Sequence, residues 1–473
     1  MSYRSALVVL ACIATAAPRL LAQQGTPPVQ PKVQETPLPP AIELPGPASV
    51  PQDVPNRPLT GAEAVAIALH HQPSVDVAIA GVAGAQARTQ ETAAALKPNA
   101  NVSESWTGVH TNVPIVATFG SPGASVSGYV FTSAVRQLIY DFNHTRDLVR
   151  QSLAEERLFG ATLTKTQADL VLQVKQDFYS YLQDVRLIQV NEENVKNQQA
   201  HLALAQARLN SGLGLPLDVV RAETAVSEAI LNLSTARNNA AQARVSLALL
   251  MGIDPRTPIV AAESPEPPVL PVDVKLLTQK ALSQRPEVTQ AQANIDASVY
   301  GLRAARTTNA PIFSGAAGWT QRGTELLGDQ QIVTVGVGVT WNPFDGGFTA
   351  GRVKEAQANL QAAQDQMTST QLSVMSDVAQ AYLNLRTAEQ SVATADAEIV
   401  NARESLRLAR GRYEAGFGTF LDVLDAQTAL DTAETNRVNA VSAIDLARAA
   451  LSHAAGNDLP GLRPPGIASP KPK

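Results

Sequence analysis

The chain has 473 residues, 45% hydrophobic, 17% charged and 4% aromatic, with a formal net charge of −5, 31 prolines and one cysteine. The near-balance of 37 basic and 42 acidic residues gives no electrostatic case for nucleic acid, and a lone cysteine excludes a disulfide framework and multi-cysteine metal sites. Mean hydropathy is −0.04, and beyond the N-terminus no apolar run approaches the ~18–20 residues of a membrane helix, which excludes a helical inner-membrane protein.

Residues 1–22 read as an export signal. Arg4 supplies a positive start, Ala6 to Ala17 a short apolar stretch, and Leu20-Leu21-Ala22 a cleavage site before Gln23. Cys12 follows Val9-Leu10-Ala11, a poor match to a lipoprotein box. Twelve prolines fall within the first 58 residues, so 23–58 is expected to be an extended segment. Six more crowd 255–271, marking a linker over 253–272, and five fall in 460–472, within a flexible tail over 457–473. The tracts 123–215 and 344–459 contain none. Proline inside a helix costs about 3 kcal/mol, so these Ala-, Gln- and Leu-rich tracts predict long helices.

The chain aligns with itself. At a shift of 213, Ala68-Leu69, Pro73, Val75, Pro98, Trp106 and Thr107 fall on Ala281-Leu282, Pro286, Val288, Pro311, Trp319 and Thr320. At a shift of 204, residues 208–225 repeat in 412–429 with nine identities in eighteen gap-free positions. Two structural repeats, 59–252 and 273–456, follow. Each is expected to hold a helix, two strands, a very long helix, a glycine turn and a returning helix. The long helices, near 147–210 and 351–414, would each be about 100 Å long.

Their apolar residues recur every seven positions. Val174, Tyr181, Ile188, Val195, Leu202 and Leu209 form one seam, and Val378, Leu385, Val392, Ile399, Leu406 and Tyr413 its counterpart. Alanines at the same period, such as Ala426, Ala433, Ala440, Ala447 and Ala454, mark the returning helices. That period predicts coiled-coil packing, and its alternation of small and large seams predicts a wall of helices.

Strands are expected at 100–112, 125–140, 311–322 and 332–341. In the last, Val333, Val335, Val337, Val339 and Trp341 share one face, with Thr334, Gly336, Gly338 and Thr340 on the other. An apolar face, a small polar face and a terminal Trp suit a membrane β-strand with its apolar side toward lipid. Four strands cannot close alone, so oligomerisation is required, and three chains would supply twelve.

These features together resemble the TolC-like outer-membrane efflux proteins. The likeness covers 59–456 and rests on R-L-N-S-G-L-G-L-P-L-D-V at 208–219, R-Y-E-A-G-F-G-T-F-L-D-V at 412–423, and the shorter A-R-N-N at 236–239, R-P-E-V at 285–288 and N-P-F-D-G-G at 342–347. It implies a mainly α protein with a small membrane β-barrel: duplicated helical hairpins forming a trimeric α-barrel tunnel in the periplasm, topped by a twelve-stranded barrel in the outer membrane. It also implies docking onto a periplasmic adaptor and, through it, an inner-membrane pump, for drug or metal efflux or protein secretion. By the same resemblance, Arg208, Leu209, Gly212, Leu213, Gly214, Arg412, Gly416, Phe417, Gly418 and Leu421 belong to the tips offered to the adaptor. Asp422 and Asp425 match acidic rings that constrict the pore, and Tyr413 and Asp218 a hydrogen bond that holds the closed state. Gly418 departs from members that carry a latching arginine there. The glycines also suit a sharp helix reversal, and Pro216 the start of the following helix.

The residues alone leave a rival, a soluble periplasmic coiled-coil scaffold or adaptor. No P-loop, nucleophile elbow or H-E-x-x-H motif occurs, so neither an enzyme nor a cofactor is implied. Six histidines are scattered, and the adjacent His70 and His71 are expected on different sides of a helix, without a shared metal.

Overall fold

The computed structural model describes residues 57–110, 125–268, 273–323 and 330–457. The expected export signal, Cys12, most of the extended segment and nearly all of the C-terminal tail lie outside the described residues, as do positions 111 and 112 of the first strand.

Each repeat opens on two helices rather than the expected one. Thr60 and Glu63 close a capping box at the start of α1 (Gly61–His71), and α2 (Pro73–Ala94) begins at Pro73. Proline disfavours a helical residue before it, and Gln72 is extended with ψ 117°. The second repeat breaks identically at Arg285, between α5 (Val274–Gln284) and α6 (Pro286–Arg306). The break is held from below. Gly252, with φ +70°, sits under α1 so closely that a Cβ would stand 2.5 Å from the His71 carbonyl oxygen, while its counterpart Gly456 leaves 3.2 Å to Gln284.

The strands form one antiparallel sheet in the order β1 (Asn99–His110), β2 (Ser125–Tyr140), β3 (Ile312–Gly323) and β4 (Gln330–Thr340). Its register sorts the residues by face. Val333 pairs with Trp319 and then Ser133, Val335 with Ala317 and then Val135, and Val339 with Phe313. Thr334–Gly318–Ala134–Asn101 and Gly336–Ala316–Arg136–Asn99 cross the opposite face. One face is thus largely apolar and the other small and polar, including in the first repeat, where sequence alternation alone is weaker. Trp341 follows β4 rather than ending it.

Paired left-handed residues turn each hairpin into its long helix. Gly346 and Gly347 (φ +65° and +94°) precede α7 (Phe348–Glu414), and Phe142 and Asn143 (φ +56° and +67°) precede α3 (His144–Asn210). Asp345 and Asp141 then accept the first-turn amides of Thr349 and Thr145 at 2.8 and 2.7 Å. Both long helices have 67 residues.

α3 returns through α4 (Pro216–Leu250) and α7 through α8 (Phe420–Ala454), and α3 and α8 pack together across the repeats. The alanine seams are buried: Ala222, Ala229 and Ala236 on α4, and Ala426, Ala433, Ala440, Ala447 and Ala454 on α8. Residues 253–268 pack back onto this wall. Leu59 pairs with the segment on both sides, Ile253 and Ile259 are buried, and Tyr181 donates to the Ile259 carbonyl at 2.8 Å. Buried Glu266 accepts from Lys175 at 2.6 Å and Tyr179 at 2.9 Å, and its backbone meets Asp445 and Arg448 of α8.

Replacing Gly252 by alanine adds a close backbone clash to the roughly 1–2 kcal/mol of a left-handed alanine. Gly252→Ala should therefore lower the thermal unfolding midpoint clearly more than Gly456→Ala, where φ is similarly positive but the nearest atom stands 3.2 Å away rather than 2.5 Å.

Candidate functional site

The end of the molecule opposite the sheet is built from two equivalent turns. After α3, the amides of Leu213 and Gly214 both reach the Arg208 carbonyl at 2.9 Å, with Gly212 at φ +73°. After α7, Phe417 and Gly418 reach the Arg412 carbonyl at 2.9 and 3.1 Å, with Gly416 at φ +82°. These are glycine-terminated helix ends with their last carbonyls satisfied. They leave Leu213, Leu215, Leu217, Phe417 and Leu421 exposed, Phe417 by 82%. Leu209 is half-buried, Gly214 and Gly418 are half-buried in their turns, and Arg412 is exposed.

Arg208 is not a free surface group. Its Nη1 donates to the Tyr413 and Glu414 carbonyls at 2.7 and 3.1 Å, and its guanidinium stands over the Tyr413 ring, 4.5 Å from the centroid. It thereby ties the end of α3 to the end of α7. Such charge-assisted bonds to helix-terminal carbonyls are favourable for both charge and dipole. Tyr413 is buried against Phe420 with ring centroids 5.4 Å apart, and its hydroxyl faces the buried Asp218 at 3.5 Å, the outer limit of a hydrogen bond. Burial, and then the Asp218 charge, push the phenol above its ordinary range.

Asp422 and Asp425 are both on the first turns of α8, Asp422 exposed and Asp425 lining a cleft against α4. Asp422 closes a capping box with Thr419, accepting its amide at 2.9 Å, and that bond holds the carboxyl below the usual range.

Sequence reasoning misses a second polar bridge, because its members are more than two hundred residues apart. Behind the alanine seam, His201 of α3 meets the Gln427 Oε1 of α8 at 3.2 Å, and the Gln427 amide donates to Asp431 at 2.8 Å. His201 and Gln427 are buried. Burial pushes the Asp431 carboxyl up to about 6, although the Gln427 bond opposes this, and burial pushes His201 down. His70 and His71, expected apart, have their rings 4.7 Å from one another in the last turn of α1. Among the described residues no three His, Cys, Asp or Glu side chains are grouped to hold a metal.

Duplicated 67-residue helices, glycine-turned tips and a two-faced four-stranded sheet define the class: a wall of long helices joined to an open antiparallel sheet. The family described as "Outer membrane efflux protein" matches residues 64–253 and 277–457, and the chain belongs to it. It is 26% identical over 330 residues to the outer membrane efflux protein BepC of Brucella suis biovar 1, covering 68% of this chain and 71% of that one. To the outer membrane protein TolC of Escherichia coli K12 it is 26% identical, covering 65% of this chain and 66% of that one. The crystal structure of the outer membrane protein VceC from Vibrio cholerae superposes with a TM-score of 0.73 at 20% identity, covering 84% of this chain and 96% of that one. The protein is an outer-membrane efflux channel with its helices in the periplasm, and the soluble scaffold reading is set aside.

The raised Asp431 value has a definite sign for stability. A carboxyl whose folded pKa exceeds its unfolded one weakens the fold as pH rises from the ordinary value through about 6, and the penalty is constant above that. Asp431→Asn keeps an acceptor for Gln427 and removes the penalty. The variant should unfold at a higher temperature than the native chain at pH 8, with the gain vanishing near pH 4.

Proposed function

We propose that three copies of the chain assemble into a channel-tunnel that carries small molecules or proteins across the periplasm and outer membrane. Twelve strands close a barrel in the lipid, and the helical walls continue it as a tunnel. The carrying observation is the open sheet: β1 and β4 are edge strands, and four strands are half of what the smallest barrels use. Unpaired strand edges are not tolerated in hydrocarbon, so a membrane location demands further copies. The helical wall is open in the same sense, with Ile230, Leu231 and Leu249 exposed on α4 and Leu372, Leu383 and Val400 on α7. The face bearing Val333, Val335, Val337 and Val339 is then the lipid face, and the small polar face lines the lumen. Exposed Tyr140, Phe142, Trp341, Phe344 and Phe348 at the sheet's helical end suit the aromatic girdle of the periplasmic interface.

At the far end, the apolar turns around Leu213 and Phe417 are the docking surface for a periplasmic adaptor, which couples the channel to an inner-membrane pump. Arg208, Tyr413 and Asp218 hold the two hairpins together in the closed state, and opening requires their separation. Asp422 and Asp425 constrict the mouth; three copies of each make six carboxylates that favour cations. Conduction, with energy supplied by partners, is the function, and no reaction is assigned to the chain.

Two measurements test this. A mid-barrel arginine costs roughly 2–4 kcal/mol on a lipid face, so Val337→Arg should abolish detergent-stable trimers in crosslinked membranes; normal trimers would refute the barrel face. In planar bilayers, the double variant Asp422→Ala, Asp425→Ala should lose most cation preference, and unchanged selectivity would leave both as ordinary helix-start residues.

A further inference from the structure

Near the tips, a cleft of about 640 Å³ lies between α3, α4 and α8. Two acceptors in its wall are unpaired. Gln198 is only 6% exposed, and its Oε1 has no hydrogen-bond partner among the described residues; the same holds for the buried Oδ1 of Asn194, one turn earlier. Asp425, Asp431 and Glu228 line the same cleft, against one cation, Arg221. A buried acceptor left unpaired is unfavourable, so this surface favours a ligand that supplies N–H donors. The acids are not grouped as a metal site among the described residues, which disfavours a bare divalent ion. Val220, Ala229 and Leu424 add apolar wall that a hydrated ion could not use.

We propose that the cleft binds an organic ammonium ion, an alkyl amine whose N–H groups satisfy Gln198, Asn194 and the cleft carboxylates while its hydrocarbon lies on Val220 and Leu424. The site deepens the channel reading and rests on it in one respect, since Asp425 belongs to both the cleft and the pore mouth. A ligand held here would bridge the two repeats, because α3 and α4 come from the first and α8 from the second.

Binding depends on pH through Asp431. Facing it are His201 of α3 by way of Gln427, Arg221 and Glu228 of α4, and Asp425 and Glu434 of α8 itself. From α7, Arg403 reaches it only by pairing with Glu434 at 3.2 Å, and Arg410 acts on His201. An alkyl amine stays protonated from about pH 8 to pH 5. Asp431 gains a proton over that range, with its carboxyl at about 6, so affinity falls as the solution is acidified.

The test is fluorescence anisotropy of dansylcadaverine on the detergent-solubilised full chain. Saturable binding is expected, displaced by butylamine and not by neutral dansylamide, and weakened about tenfold by Asp431→Asn and by Gln198→Leu. Thr428→Lys tethers an ammonium in the cleft with every carboxylate intact and should abolish binding. Unaltered sedimentation and tryptophan emission establish that each variant is folded. Equal binding in all variants, displacement by magnesium at matched ionic strength, or loss in Asp422→Asn with retention in Asp431→Asn would overturn the site in favour of general cation attraction at the mouth. A monomer that binds the amine would refute the trimer and keep the cleft; a conducting trimer that does not bind it would do the reverse.

Discussion

Close approach along the alanine seams is the interaction on which the helical part of the molecule depends. A helix of about 100 Å has no globular core to rest on, and its own propensity does not fix where it lies. Small residues every seven positions let α4 and α8 come near the larger seams of α3 and α7 over their whole length. The same device leaves apolar side chains on the outer faces of α4 and α7 bare. The sheet repeats this logic with hydrogen bonds in place of side chains: three inner ladders are complete, and the outer edges of β1 and β4 are open.

Alanine packing alone gives little register, since one alanine resembles the next. Polar bridges supply it at three heights. Glu266 gathers Lys175, Tyr179, Asp445 and Arg448 where the connecting segment crosses the wall. The His201–Gln427–Asp431 chain ties α3 to α8 further along, and Arg208 ties the ends of α3 and α7. A one-residue slip would leave the buried members, Glu266, His201 and Gln427, unpaired, a loss of about 1–3 kcal/mol per group and more for the charged ones. The seams provide the adhesion and the polar bridges the alignment.

Much of this architecture is legible in the amino-acid sequence alone. The seven-residue period, the proline map and the duplication locate the long helices to within a few residues, because those signals are local and repeated. The clean alternation of β4 exposes its two faces, whereas those of β1 and β2 become clear only through pairing with Trp319 and Ala317. The connecting segment over 253–268 reads as a linker because its prolines are visible in sequence, while the partners of its buried Glu266 lie in α3 and α8. The tip glycines carry a local signal, since a helix that must reverse sharply needs them. Arg208 is assigned to the tip by resemblance alone, and its stacking on Tyr413 joins positions 205 residues apart and leaves no mark in either local pattern.

The duplication itself shows how the two tips came to differ. Leu215 and Thr419 are equivalent positions, each directly before a returning helix. Thr419 has a hydroxyl, caps α8 and draws the Asp422 carboxylate back onto its own amide, fixing that acid at the exposed helix start. Leu215 cannot cap, so the equivalent acid, Asp218, is released from the helix end and turns inward to Tyr413. Tyr413 stands where the first repeat has Leu209, and its ring gives Arg208 a stacking partner that the equivalent Arg412 lacks among the cation–ring contacts of the described residues. One hydroxyl and one aromatic ring thus turn two copies of the same turn into a bridged pair of helix ends on one side and an acidic, exposed surface on the other. The divergence of these equivalent pairs, not the shared glycine turn, is what sets the chemistry of each tip.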